Sequence, residues 1–268
     1  MSQTLSITAP QRPASPLSGA LAIASRVLRK FVRTPQLIVI STVQGAMFLL
    51  IFRYVFGGAI STGGAASYVS FLVPGYVVTG MLFSSIMAAV GMAEDLEGGF
   101  ADRLRSLPVS RTSLIAGRAL ADTAVTVWGV LITWAMGFAV GFRTGSTVTT
   151  ADLLAAVAIS CVFALAFSWL FLTIGLMAKT AQAANGFSMI VFPFTFVSSA
   201  YVPVGSMPGW MQAFARNQPV TAMANAVRSL TIDLPGGVDT HAIVVALLWS
   251  AAIVAVMAPI ATWRFARG

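Results

Sequence analysis

LLAAVAISCVFALAFSWLFLTIGLM, residues 153–177, runs without a single charged residue. A helix needs roughly 20 apolar residues to cross the hydrocarbon of a bilayer. A soluble core helix of that length would show a polar face, and this one shows none. The stretch therefore reads as a membrane span, and the question becomes how many others accompany it.

Working outward from it, five more apolar runs stand between charges: 36–56, 68–92, 119–142, 181–202 and 242–263. The whole chain of 268 residues is 57% hydrophobic and 9% charged, with a mean hydropathy of +0.87. A soluble domain carries about 25% charged residues. The expected fold is an all-α integral membrane protein with six transmembrane helices.

The net charge of +8 is not a nucleic-acid signature, because the bases collect between the apolar runs. Arg12, Arg26, Arg29, Lys30 and Arg33 precede the first span. Arg103, Arg105, Arg111 and Arg118 fall in the second loop, Lys179 in the fourth, and Arg264 and Arg267 in the tail. The other side holds only Arg143, Arg216 and Arg228, and Arg53 lies within the first span. Lys and Arg are retained on the cytoplasmic face, so both termini are expected in the cytoplasm, as an even number of spans requires. The bilayer expected is the plasma (inner) membrane.

Residues 1–16 read as a disordered cytoplasmic tail, and 17–268 as one membrane domain. Within it, 17–34 forms an amphipathic helix before Pro35. At about 100° per residue, Leu17, Leu21, Ala24, Leu28 and Phe31 share one face, and Arg26, Arg29, Lys30 and Arg33 the opposite one. Such a helix lies in the headgroup plane with its cations over anionic lipid, or serves as a platform for a cytoplasmic partner.

The second loop, AEDLEGGFADRLRSLPVSRTSLIAGR (93–118), places Glu94, Asp95, Glu97 and Asp102 ahead of Arg103, Arg105, Arg111 and Arg118. Acids near a helix start and bases near its end suit the helix dipole. Gly98 and Gly99 permit a reversal, and a short helix over 100–106 would stop before Pro108. A plain solvated loop is the competing reading.

The fifth loop, 203–240, is long and apolar. Residues 205–214 and 220–230 read as two short helices, with Pro208 and Pro219 near their starts. They either form a re-entrant hairpin or lie on the surface. In the spans, Gln44 faces a substrate path or bonds a neighbouring helix. Phe192, Phe194 and Phe196, around Pro193, either line a greasy path or are bulk that faces lipid. Gly137 and Gly141 form a GxxxG pair, a pattern associated with helix dimers.

Three runs resemble the ABC-2 type permeases, in particular the daunorubicin/doxorubicin-resistance branch common in actinobacteria. They are EGGFADRLRSLPVSR (97–111), FLVPGY (71–76), and FARNQPVT (214–221) followed by AVRSL (226–230). The resemblance implies a type V exporter-like fold with an interface helix at 17–34, a cytoplasmic coupling helix in the second loop and an extracellular re-entrant hairpin. It implies that Glu97, Gly98, Phe100, Asp102, Arg103, Arg105, Pro108 and Arg111 form the contact with an ATPase. It also implies a second permease copy or a related permease, two copies of a nucleotide-binding ATPase, and export of amphipathic drugs, lipids or glycolipids.

No motor is expected in this chain. A P-loop needs G-x-x-x-x-G-K-[ST], and neither Lys30 nor Lys179 follows a glycine. ATP and Mg are expected on the partner. With His241 the sole histidine and Cys161 the sole cysteine, no metal site and no catalytic residue is expected. The contending function is an ion-gradient-driven secondary transporter, which would want ionisable groups deep in the membrane. A membrane hydrolase would need a base beside a nucleophile, and His241 stands at the outer start of the last span.

Overall fold

A computed structural model describes residues 16–57, 67–99, 110–178 and 180–267. Among these residues all regular structure is helical, with no strand. The elements are α1 (Pro16–Val32), α2 (Pro35–Ile51), α3 (Tyr68–Glu97), α4 (Arg111–Val140), α5 (Thr150–Met177), α6 (Ala181–Ser188), α7 (Val191–Phe196), α8 (Gly209–Asn217), α9 (Pro219–Ser229) and α10 (Thr240–Arg267). The tail expected over 1–16 lies outside them, Pro16 apart.

α3, α4, α5 and α10 are long and apolar enough to cross a membrane. At about 1.5 Å per residue each is about 42–45 Å long, more than the roughly 30 Å of hydrocarbon. α2 is shorter and passes into a π-helical turn, Phe52–Phe56. Local chemistry sets the ends. Ser67, Ser110 and Thr180 cap α3, α4 and α6 by accepting from backbone N–H groups one turn on. Thr149 and Asp152 form a reciprocal capping box on α5.

α3 is the centre of the bundle, packed on α4, α5, α6 and α9. Its apolar stretch is 61% buried against 11% for α10, so the chain turns most of α10 outward. The GxxxG pair of α4 works within the chain. Gly137 meets Val73 of α3, and Gly141 ends the helix in the left-handed region, φ 105°.

The fifth expected span, 181–202, is not one helix. It divides into α6 and α7 at Met189–Ile190, followed by non-helical backbone from Val197. Pro193 explains the break: its ring would clash with the carbonyl four residues earlier, at Met189. Side chains of α9 and its cap satisfy the freed backbone. Gln218 Nε2 donates to the carbonyls of Phe194 (2.8 Å) and Val197 (2.7 Å), and Ser199 N donates to Thr221 Oγ1 at 3.0 Å. Protein side chains thus stand in for water at this irregular backbone.

The two helices expected in 203–240 are present as α8 and α9. The first begins at Gly209 rather than 205, because Val204–Ser206 forms a 3-10 turn and Pro208 starts the helix. α9 is buried along most of its length against α10, α3 and α5.

Candidate functional site

The last turn of α3 carries Glu94, Asp95 and Glu97. Sequence reasoning places these acids at a helix start in the second loop. They instead close α3, where outward-pointing carbonyls make carboxylates unfavourable. Cations from two other helices compensate. Lys30 Nζ of α1 reaches Glu94 at 3.1 Å, and Arg26 reaches Asp95 at 3.2 Å. Arg118 of α4 bridges Asp95 at 2.5 Å and Asp122 at 2.9 Å.

The members of this cluster differ in worth. Lys30 and Glu94 have side chains 65% and 50% exposed, so their pair is screened. Arg118 and Asp122 are about 10% and 9% exposed, and a buried charge left alone there is costly. The i,i+4 spacing of Arg118 and Asp122 is legible in sequence. The role of Asp95 as their partner across helices is not.

α1 is seated on α4. Its backbone at Ala20 lies against Gly117, and Ile23 enters a cluster with Met92, Leu114, Ile115 and Phe265. The four cations expected to lie over lipid therefore divide. Arg26 and Lys30 turn to the acids of α3, whereas Arg29 and Arg33 remain exposed. Arg29 donates to the carbonyl and hydroxyl of Ser25.

The loop between α3 and α4 begins with the expected reversal, Gly98–Gly99, with Gly99 at φ 64°. Phe100, Asp102, Arg103, Arg105 and Pro108 lie outside the described residues. The rims of the loop are placed. Glu97 Oε2 accepts the backbone N–H of Ala181, the first residue of α6, at 3.3 Å. Arg111 Nη1 donates to the carbonyl of Ala266, near the end of α10, at 3.0 Å. The two rims of the loop thus join the end of α3 to the start of α6 and the start of α4 to the end of α10.

The aromatic candidates separate. Phe192 meets Phe83 edge-on at 5.0 Å and stacks on Phe196, which continues through Tyr201 to Phe52. Phe194 points to the other side, against Phe214 of α8. Gln44 is exposed on α2, and the neighbouring Gly45 carbonyl accepts from Tyr76.

Residues 19–232 match the model of the ABC-2 type transporter. The chain belongs to that family. It is 31% identical over 257 residues to the daunorubicin resistance ABC transporter permease protein DrrB1 of Streptomyces coeruleorubidus, covering 95% of this chain and 89% of the relative. It is 25% identical over 267 residues to the probable doxorubicin resistance ABC transporter permease protein DrrC of Mycobacterium tuberculosis (strain ATCC 25618 / H37Rv), covering 96% and 94%. A putative transport permease, ycf38, of Pyropia yezoensis is 26% identical over 220 residues, covering 78% and 72%. The family match spans α1 to α9 and so includes the charged cluster, both rims of the loop and the aromatic ladder.

At the opposite end of the permease, Arg228 of α9 is a site that sequence reading passes over as an ordinary loop base. It is buried with no acid beside it among the described residues. Its guanidinium donates to the carbonyls of Phe71 and Ser199 and to Asn225 Oδ1, and lies 3.8 Å over the ring of Phe71. This clamp fixes α9 to the start of α3 and to the non-helical segment after α7. Nearby, Asp233 accepts from the backbone N–H groups and hydroxyls of Ser146 and Thr147. Those donors hold its carboxyl down at about 2, and they tie the α4–α5 loop to the end of α9.

Proposed function

We propose that this permease is the membrane half of an ATP-driven exporter, powered by a separate ATPase that acts on the loop between α3 and α4. The observation that carries the reading is the anchoring of that loop. Glu97 holds the start of α6 and Arg111 the end of α10, while Asp95, just ahead of Glu97 on α3, holds α1 and α4. A push on the loop would reach five helices through the hydrogen bonds and ion pairs of these side chains. Energetic coupling of this kind needs physically contiguous elements.

In this reading six segments cross the plasma membrane, with both termini cytoplasmic. The broken α6–α7 segment is the fifth crossing, sheltered by α9, and α8–α9 dips in from the outer face. Two permeases, identical or related, pair over two ATPase copies that bind ATP and Mg. Glu97, Gly98, Phe100, Asp102, Arg103, Arg105, Pro108 and Arg111 form the ATPase contact. The relatives named for daunorubicin and doxorubicin resistance support an amphipathic cargo, whether drug, lipid or glycolipid. Gln44, Phe192 and Phe196, all outward-facing, would border its route.

The test is efflux of daunorubicin from cells expressing the permease with its ATPase. Glu97→Ala together with Arg103→Ala should abolish ATP-dependent efflux while leaving the amount of inserted chain unchanged. Full efflux by that variant would refute the coupling assignment. Efflux that survives ATP depletion but collapses with the ion gradient would refute the motor.

A further inference from the structure

The division of the four cations on α1 leaves a surface that the charged cluster of α3 and α4 does not use. Arg26 and Lys30 are directed at Asp95 and Glu94. Arg29 and Arg33, one turn apart on the helix, meet no acid among the described residues. Alongside them runs an apolar stripe in which Leu17 is 70% exposed, Leu21 59%, Leu28 36% and Val32 70%. The stripe and the two arginines flank a shallow groove of about 230 Å³ lined by Leu28, Arg29, Val32 and Arg33.

Water is a poor solvent for that stripe, and the buried face of α1 is already taken by α4. The end of α1 also sits at the membrane boundary, since only Arg33 and Thr34 separate it from α2. A ligand matching this surface carries an anion at headgroup level and an alkyl chain beside it.

We infer that the outward face of α1 binds an anionic phospholipid. Arg29 and Arg33 hold the headgroup phosphate, and the chain lies along Leu28 and Val32. Arg29 is held in place for this, because its Nε and one Nη donate to Ser25. The inference requires only that α1 lies at the membrane surface, so it stands apart from the ATPase reading.

The test is native mass spectrometry of the full chain, purified in mild detergent, delipidated and titrated with phosphatidylglycerol or phosphatidylcholine. Phosphatidylglycerol should bind saturably and phosphatidylcholine should not. R29Q/R33Q should weaken phosphatidylglycerol binding about thirtyfold, at roughly fivefold for each basic residue near an anionic surface. R29K/R33K should keep most of the binding, and thermal midpoints of both variants should match the parent chain.

Equal retention of the two lipids, or unchanged phosphatidylglycerol binding by R29Q/R33Q, would overturn the proposal. Displacement of the lipid by millimolar inorganic phosphate would reduce the site to a simple anion contact and overturn it as well. If the face instead seats a second copy or a soluble partner, R29Q/R33Q would change the mass of the assembly and leave lipid uptake intact, and that result too would overturn the lipid site.

Discussion

Replacing Arg118 by Met isolates the energetic core of the charged cluster. Arg118 is about 10% exposed and touches two carboxylates, Asp95 at 2.5 Å and Asp122 at 2.9 Å. Methionine roughly preserves the volume, so the cost is mainly electrostatic. Asp95 retains Arg26, whereas Asp122 loses the cation beside it on α4. Breaking a buried pair from one side costs about 3–5 kcal/mol, whereas removing both partners together is often close to neutral. Lys30→Ala removes a pair that is largely exposed and should cost about 0–1 kcal/mol. The expected ranking is therefore Arg118→Met far below the parent chain, with Lys30→Ala and the Arg118→Met/Asp122→Leu double variant both near it. Thermal midpoints of the detergent-solubilised chain measure this, with a fall on the order of 10 °C for the single variant. If Arg118→Met matched Lys30→Ala, or if the double variant were as unstable as the single, the cluster would not be the buried network described.

Two further predictions concern the opposite end. A Cβ on Gly75 would lie 2.1 Å from the carbonyl oxygen of Ala200, so Gly75→Ala should cost about 1–3 kcal/mol or more by forcing α3 off that segment; Gly186→Ala, which meets nothing within 4 Å, should be neutral or stabilising by up to about 1 kcal/mol, and equal midpoints for the two variants would contradict the packing. Because the Asp233 carboxyl is held down at about 2, against about 3.9 in an unfolded chain, its contribution is complete above that unfolded value and fades as pH falls toward 2. The midpoint gap between the parent chain and Asp233→Asn should then be the same at pH 7 and pH 5 and shrink near pH 3, and a gap that already closes at pH 5 would refute the clasp.

The architecture is legible where hydrophobic runs are long and their boundaries polar. Residues 153–177 show why: the run is pure, and Thr149 and Asp152 cap it visibly. The charge asymmetry of the loops is equally plain. Boundaries near the cytoplasmic end escape a sequence reading because apolarity stops before the helix does. α3 continues five residues past Met92 through acids whose partners lie 23 to 84 positions away in sequence, and no local pattern announces them. The span over 181–202 looks continuous because Pro193 is tolerated in many membrane helices. Its break depends on Gln218, Thr221 and Asn225 arriving from α9 and its cap to satisfy the polar groups of that segment. Arg228 is hidden for the same reason, since an arginine in a loop resembles a solvated base until its carbonyl partners, Phe71 and Ser199, are placed. On α1 the amphipathic pattern is correct as a pattern, but only tertiary packing shows which cations pair with Glu94 and Asp95.

The most direct test of the central claim is purification of the tagged chain from its native membrane in mild detergent, with mass spectrometry of what accompanies it. The account predicts a stoichiometric soluble subunit bearing a P-loop, lost when Glu97 and Arg103 are both changed to Ala. Intact complexes that repeatedly carry no such ATPase, or an ATPase that stays bound to the doubly substituted chain, would contradict it.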